Sequence, residues 1–195
     1  MLTKNEITGI ILVGGKSSRM GRDKGLCEFK NRSLVEYSIN ALKQYCGEIL
    51  ISTNIKEGYS KYGFPLIADE YKEIGPLGGI YSCLKKSQTK HNLILSCDTP
   101  FIGPQLIKFI IENIDHKHDV ILPSHGDSFL EPLCAYYNSS IIADMESFIK
   151  TKDYKLIRFV KSVNYKALLI NQENEFYRPE LFNNFNTMED LLSSK

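Results

Sequence analysis

Residues 8–24 combine glycines, hydroxyl groups and positive charges in an order suited to binding phosphate. The apolar residues 10–13 predict a buried strand, and Gly14 and Gly15 follow it directly. Glycine has no Cβ, so the backbone can turn there and approach a ligand closely. The exposed N–H groups of such a turn attract anions, and lysine or arginine side chains add full positive charges. The stretch therefore predicts a loop that holds a polyphosphate, with these polar residues beside the glycines: Lys16, Ser17, Ser18, Arg19 and Lys24.

The spacing in this loop excludes two common nucleotide-binding motifs. The pattern G-x-x-x-x-G-K-[ST] fails, because five residues separate Gly15 from Gly21 and an arginine, Arg22, follows Gly21. The pattern G-x-G-x-x-G fails as well, because Gly14 and Gly15 are adjacent. An ordinary basic surface loop is the remaining alternative, and the number of special residues at fixed offsets after a strand argues against it.

Composition indicates one globular domain over residues 1–195, with 43% apolar and 24% charged residues. The net charge is +1, so bulk electrostatics gives no case for nucleic acid or a membrane surface, and any phosphate site must be local. The five cysteines lack a Cys-x-x-Cys pair, which disfavours a disulfide framework or zinc site and favours a reducing cytoplasm. We expect no signal peptide and no membrane span, because no apolar run is long enough for either.

Predicted strands and helices alternate along the chain, which indicates an α/β fold. Its sheet should be mostly parallel, twisted and doubly wound, with helices on both faces. We expect strands at 10–13, 48–53, 65–68, 92–97, 119–123 and 166–170, an extended stretch at 131–137, and helices at 34–45, 75–86, 105–114, 141–149 and 154–160. A last helix over 185–192 would have Asn186 as its N-cap.

Polar residues follow four of the predicted strands, each at the strand's carboxyl end. Gly14 and Gly15 follow the first strand, Asn54 the second, Asp69 the third and Asp98 the fourth. In open α/β sheets, ligands bind in the crevice beyond the carboxyl ends of the strands. The sequence therefore predicts that these residues share one crevice.

Asp98 is placed to bind a metal ion. A hard divalent cation such as Mg²⁺ is usually held by one or two carboxylates together with phosphate oxygens and water. An aspartate at this point fits a turn or N-cap residue equally well on pattern alone. Asp69 alone is more typical of a solvated strand-end carboxylate, and Asn54 alone is uninformative.

The loop matches the string L-x-G-G-x-S-x-R-M-G-x-D-K, which resembles the signature loop of the nucleotidyltransferase superfamily. Its Gly14-Gly15 pair, in place of two alanines, is similar to the molybdenum cofactor guanylyltransferases in particular. Four more segments extend the resemblance in family order: Asp69 followed by Gly-Pro-Leu-Gly-Gly at 75–79, Cys-Asp-Thr-Pro-Phe at 97–101, Glu-Pro-Leu-Cys-Ala-Tyr-Tyr at 131–137, and the tail at 182–191. In that tail Met188 stands where the family usually has proline.

This resemblance implies a Rossmann-like nucleotidyltransferase fold and transfer of GMP from GTP to the terminal phosphate of molybdopterin, the organic part of the molybdenum cofactor, with release of pyrophosphate. It implies Mg²⁺ on Asp98 and transient contact with molybdoenzyme apoproteins or chaperones. It assigns catalysis to Arg19, Lys24 and Asp98, nucleotide binding to Leu12, Val13, Gly14, Gly15, Lys24, Asn54, Asp69 and Asp98, and the second substrate to Glu131, Asn184 and Asn186. Asn184 and Asn186 also fit ordinary turn and cap positions.

Three alternative functions stay open at the level of sequence. A cytidylyltransferase acting on molybdopterin or another small phosphate is the nearest, and Gly14-Gly15 argues against it. Sugar-phosphate nucleotidyltransferases are usually longer and are not expected to carry Asn-Phe-Asn-Thr at 184–187. A non-catalytic protein that binds GTP and delivers the cofactor would keep the nucleotide site without consuming GTP.

Overall fold

The computed structural model describes residues 2–13, 23–126, 128–187 and 190. The β-strands in these ranges are β1 (Ile7–Leu12), β2 (Glu28–Phe29), β3 (Arg32–Ser33), β4 (Glu48–Ser52), β5 (Leu66–Ile67), β6 (His91–Ser96), β7 (Val120–His125), β8 (Phe129–Leu130), β9 (Cys134–Asn138) and β10 (Tyr165–Leu169). The α-helices are α1 (Leu34–Leu42), α2 (Pro76–Lys86), α3 (Pro104–Glu112), α4 (Ile142–Lys150) and α5 (Leu156–Val160).

Local sequence explains where the helices begin. Ser33 precedes α1, and its backbone N–H donates to Glu36 Oε2 at 2.8 Å, as the Ser-x-x-Glu spacing predicts for a capping box. Pro76 and Pro104 occupy the first turns of α2 and α3, where a missing N–H leaves no hydrogen bond unmade.

The main sheet has the strand order β10-β7-β9-β6-β1-β4-β5, with β8 paired to β7. Neighbours from β6 to β5 run parallel, and β10 runs parallel to β7. Only β9, among these seven, runs against its neighbours β6 and β7. The predicted doubly wound, mostly parallel sheet is therefore confirmed, with one reversed strand in its middle.

The register brings several carboxyl ends to one edge of the sheet. Leu12 of β1 lies opposite Ser52 of β4 and Ser96 of β6. Since β9 is antiparallel to both β6 and β7, β7 points the same way as β6 and also ends at this edge. With β10 parallel to β7 and β5 parallel to β4, six strands end at this edge, and the residues just beyond them lie along it.

Two apolar clusters cover the two faces of the sheet. Alternate residues of β1 point to opposite faces, with Ile11 in one cluster and Ile10 in the other. Helices α1 and α3 pack on the Ile11 face, and α2, α4 and α5 pack on the Ile10 face. The sheet is therefore buried from both sides, which leaves its edges and ends for ligands.

Some local predictions differ from the structure, mainly in a connector and at the ends of elements. The 25–32 connector contains a short hairpin, β2 paired with β3, after a 3-10 turn at Lys24–Leu26. Half of the predicted 185–192 helix lies outside the described residues, and within them the Asp190 backbone N–H donates to Thr187 Oγ1 at 3.2 Å. Helix α1 ends at Leu42, three residues earlier than expected. In the described ranges, no helix is long and apolar enough to span a membrane.

Candidate active site

Three predicted site residues from distant parts of the chain meet at the carboxyl end of β6. Lys24 Nζ donates to Asp98 Oδ2 and to Asn186 Oδ1, both at 2.9 Å. The Lys24 side chain is 15% exposed and that of Asp98 is 21% exposed, so the ion pair is largely shielded from water. Pattern alone fits Asp98 as a metal ligand or as a turn residue, and in the structure its side chain pairs with the partly buried ammonium group of Lys24.

The second carboxylate oxygen of Asp98 is the unusual atom of this group. Oδ1 is buried and has no hydrogen-bond partner among the described residues. A buried carboxylate oxygen without a partner is costly, so such an atom indicates a ligand or ion that the site is built to take. The preceding Cys97 is not a rival for the chemistry, because burial and the adjacent Asp98 raise the pKa of its thiol and keep it protonated.

The 3-10 turn Lys24–Leu26 sets the position of the lysine. Asp23 precedes it, and its Oδ1 accepts the Gly25 backbone N–H at 3.1 Å. The same Oδ1 accepts a hydrogen bond from the hydroxyl of Tyr59, which reaches it from the β4–β5 connection. The start of the turn is thus fixed by a side chain 36 positions away in sequence.

Asn54 and Asp69 form a second polar pair beyond β4 and β5. Asn54 Nδ2 donates to Asp69 Oδ2, and the Asp69 backbone N–H donates to Asn54 Oδ1, both at 3.0 Å. Helix α2 packs tightly beside them: a Cβ added to Gly79 would lie 2.5 Å from Ser52 Oγ and 3.4 Å from Asp69 Oδ1. The two residues predicted together by strand-end position are therefore in contact, and each orients the other.

The tail segment 182–187 runs across the site and is anchored by Phe185. The Phe185 backbone N–H donates to the Asp98 carbonyl at 2.9 Å. Its ring is 2% exposed and makes edge contacts with Phe29 and Phe101, at centroid distances of 4.9 and 5.5 Å. This anchor holds the next residue, Asn186, within reach of Lys24.

We expect Phe185→Ala to lower the free energy of unfolding by about 3 kcal/mol or more, because it empties a buried aromatic site. Urea unfolding measures the change. Phe129→Ala is the matched control: Phe129 is 66% exposed, so its loss should change stability by only about 0.5 kcal/mol. Equal unfolding midpoints for the two variants would contradict the anchoring role of Phe185.

Glu131 lies in a third group, beyond the end of β7. His125 Nε2 and Glu131 Oε1 are 2.8 Å apart, and the His125 ring stacks on Phe182 with a centroid distance of 4.5 Å and an interplanar angle of 9°. A cleft of about 440 Å³ opens beside this stack and is also lined by Asn171 and Arg178. Phe182 is four residues before Asn186, so the tail joins the cleft to Lys24.

The remaining predicted residues are less informative. Leu12 and Val13 are buried where predicted, and their backbones are engaged in the sheet: the Leu12 carbonyl accepts from Cys97, and the Val13 N–H donates to Ser52. Asn184 is exposed in the tail. Gly14, Gly15 and Arg19 lie outside the described residues.

Sequence reasoning missed three residues at the site. His125 stands at the end of β7 and could have been found by the same strand-end rule that indicated Asp98. Asp23 stands directly before Lys24 in the loop motif and was given no role. Tyr59 lies in a turn-rich stretch, where neither spacing nor residue type marks it.

Comparison with known proteins agrees with this geometry. The family model described as MobA-like NTP transferase domain matches residues 9–167. The molybdenum cofactor guanylyltransferase of Vibrio parahaemolyticus is 31% identical over 194 residues, covering 98% of this chain and 96% of its own length. A probable molybdenum cofactor guanylyltransferase of Pelotomaculum thermopropionicum is 32% identical, with 97% and 92% covered.

The fold has close relatives among solved structures. The crystal structure of molybdopterin-guanine dinucleotide biosynthesis protein A from Archaeoglobus fulgidus superposes with a TM-score of 0.80, covers 96% of both chains and is 23% identical. Family match, full-length similarity and shared fold agree with one another. The chain therefore belongs to the molybdenum cofactor guanylyltransferase family, within the MobA-like NTP transferases.

Proposed function

We propose that this protein transfers GMP from GTP to the terminal phosphate of molybdopterin, carried as the molybdenum cofactor. An oxygen of that phosphate bonds to the α-phosphorus of GTP, the bond from the α-phosphorus to the α–β bridging oxygen breaks, and pyrophosphate leaves. The observation that carries the proposal is the Lys24–Asp98 pair at the carboxyl end of β6, in a chain of this family. The nucleophile is already an anion, so the protein needs no strong general base.

Asp98 is the residue that would hold Mg²⁺. Its buried Oδ1, which has no protein partner in the described ranges, suits a hard cation. Within those ranges no group of three or more His, Cys, Asp and Glu could hold a metal by itself, so phosphate oxygens and water would complete the shell. The cation would offset the charge of the phosphates when it is bound.

Lys24 would stabilise the negative charge that builds up during transfer. Its ammonium group is held at a fixed point by two acceptors, and a positioned charge of this kind stabilises a transition state without reorganisation. Arg19 and the backbone N–H groups that follow Gly14 and Gly15 would bind the phosphates. Phosphoryl-type transfers depend on such positioning more than on covalent catalysis.

Asn54 and Asp69 would bind the nucleoside half of GTP. They stand on the opposite side of β1 from Asp98, next to α2. Their pairing leaves each side chain with spare donor or acceptor capacity for a ligand. The substrate would then span the carboxyl ends of β5, β4 and β1, with its phosphates directed toward β6.

We expect Asp69→Ala to raise the KM for GTP by about tenfold and to leave the KM for molybdopterin unchanged, since one polar contact to substrate is worth about 1.4 kcal/mol. Steady-state kinetics with each substrate varied in turn measures this. Glu70→Ala is the matched control, because Glu70 is the next carboxylate along the chain and pairs with Lys85 instead. An unchanged KM for GTP in Asp69→Ala would show that Asp69 does not bind the nucleotide.

The second substrate would bind on the other side of Asp98. Glu131, Asn184 and Asn186 would contact molybdopterin, and the cleft beside His125 and Phe182 would receive its ring system. Asn186 already contacts Lys24, so the acceptor phosphate would arrive next to the catalytic cation.

Transient contact with molybdoenzyme apoproteins or chaperones would follow product formation. The five cysteines are all buried, which suits a reducing cytoplasm.

Pyrophosphate release with each of the four nucleoside triphosphates, with and without molybdopterin, tests the proposal. We expect release with GTP only, and only when molybdopterin and Mg²⁺ are both present. Release with CTP would instead establish a cytidylyltransferase. GTP binding without any release would establish a carrier protein rather than an enzyme.

A further inference from the structure

Tyr59 is a fully buried tyrosine whose hydroxyl contacts the catalytic loop. It lies in the connection between β4 and β5 and is 0% exposed. Its hydroxyl donates to Asp23 Oδ1, one residue before Lys24. Burial, and then the Asp23 contact, raise the pKa of this hydroxyl, so it remains protonated and acts as a donor.

The Lys24–Leu26 turn is shaped around this hydroxyl. A Cβ added to Gly25 would lie 2.5 Å from Tyr59 Oη and 3.2 Å from Val13 Cβ, so only glycine allows the turn to approach so closely. Asp23 Oδ1 meanwhile accepts the Gly25 N–H. Tyr59, Asp23 and the backbone of the turn thus form one hydrogen-bonded unit, from which the Lys24 side chain extends to Asp98.

We propose that Tyr59 is a positioning residue for Lys24. Its hydroxyl holds Asp23, Asp23 holds the turn, and the turn fixes the ammonium group against Asp98 and Asn186. Tyr59 itself touches no reacting atom. The effect of Tyr59 on the reaction rate rests on the proposed function. Its effect on the position of the Lys24 ammonium group does not.

The test compares Tyr59→Phe with Tyr62→Phe. Each deletes one hydroxyl from the same connection, and Tyr62 bonds to Ser33 Oγ at 2.7 Å, away from the site. Small displacements of catalytic groups reduce rates strongly, so we expect Tyr59→Phe to lower kcat by about tenfold to a hundredfold. We expect an unchanged KM for molybdopterin, and near-normal kinetics for Tyr62→Phe. Thermal unfolding of both variants separates these effects from loss of fold.

A double-mutant cycle compares the effect of Tyr59→Phe on kcat in the unmodified protein and in the Lys24→Ala variant. A merely structural role of Tyr59 would lower kcat equally in both. If Tyr59 acts through Lys24, then Tyr59→Phe has little further effect on kcat in the Lys24→Ala background. If the two substitutions lowered kcat by independent factors that multiply in the double variant, the proposal would be overturned.

Reductive methylation of lysines, followed by mass spectrometry, tests the placement of Lys24 without any turnover. Tyr59→Phe should raise the methylation rate of Lys24 severalfold and leave the rate of Lys85 unchanged. Tyr62→Phe should leave the methylation rate of Lys24 unchanged. An unaltered Lys24 rate in Tyr59→Phe would overturn the inference. If the methylation rate of Lys24 rose in Tyr59→Phe but the unmodified protein transferred no guanylyl group, only the proposed function would be overturned.

Discussion

Replacing Asp98 by asparagine is expected to abolish guanylyl transfer while the fold is kept. The substitution preserves size but removes the negative charge that would hold Mg²⁺ and that pairs with Lys24 at 2.9 Å. Lys24 would keep Asn186 and an amide oxygen as acceptors, so we expect stability to fall by only about 1–2 kcal/mol. Turnover should fall by about a thousandfold or more, as for loss of a main electrostatic element.

Pyrophosphate release measures the rate, and calorimetry of GTP binding with and without Mg²⁺ gives a readout apart from activity. In Asp98→Asn the affinity for GTP should no longer depend on Mg²⁺. Asp153→Asn serves as control, because Asp153 forms a surface pair with Arg158 and lies outside the site. Near-normal, Mg²⁺-dependent turnover in Asp98→Asn would reject the metal role.

Replacing Lys24 by alanine is expected to reduce kcat by about two orders of magnitude or more. The reason is the loss of one positioned charge that would stabilise the transition state, at an ion pair largely shielded from water. Alanine also leaves Asp98 without its cationic partner, so the carboxylate would be freer to bind a metal ion. We therefore expect Mg²⁺-dependent GTP binding to persist while turnover is lost.

Lys85→Ala is the control for this variant, since Lys85 is a surface lysine paired with Glu70 at 2.7 Å. Rates at saturating GTP and molybdopterin, with melting temperatures for both variants, make the comparison. If Lys24→Ala retained more than a third of the rate of the unmodified protein, the result would contradict a catalytic role for Lys24.

The strand-end rule predicted much of this arrangement from sequence. Asp98, Asn54 and Asp69 each follow a strand, and parallel strands bring their carboxyl ends to one edge. The Asn54–Asp69 contact follows from the adjacency of β4 and β5. Such residues are predictable because hydrophobic patterning locates the strands, and the strands in turn locate the residues beyond them.

Other features depend on tertiary contacts that no local pattern records. Tyr59 reaches Asp23 only because the β4–β5 connection folds back over the Lys24 turn. Asn186 fits an ordinary cap asparagine by pattern, whereas in the structure its side-chain oxygen accepts a hydrogen bond from Lys24. In each case a partner far away in sequence decides the role, so propensity at the residue itself is a poor guide.

The contact between residues 24 and 186 has a consequence during protein synthesis. The two residues are 162 positions apart, and the later one supplies an acceptor to the Lys24 ammonium group. A nascent chain shorter than 185 residues could complete the sheet and still lack this acceptor and the Phe185 bond to Asp98. We therefore expect arrested ribosomal complexes to gain cofactor-forming activity only after the Asn-Phe-Asn-Thr segment has left the exit tunnel.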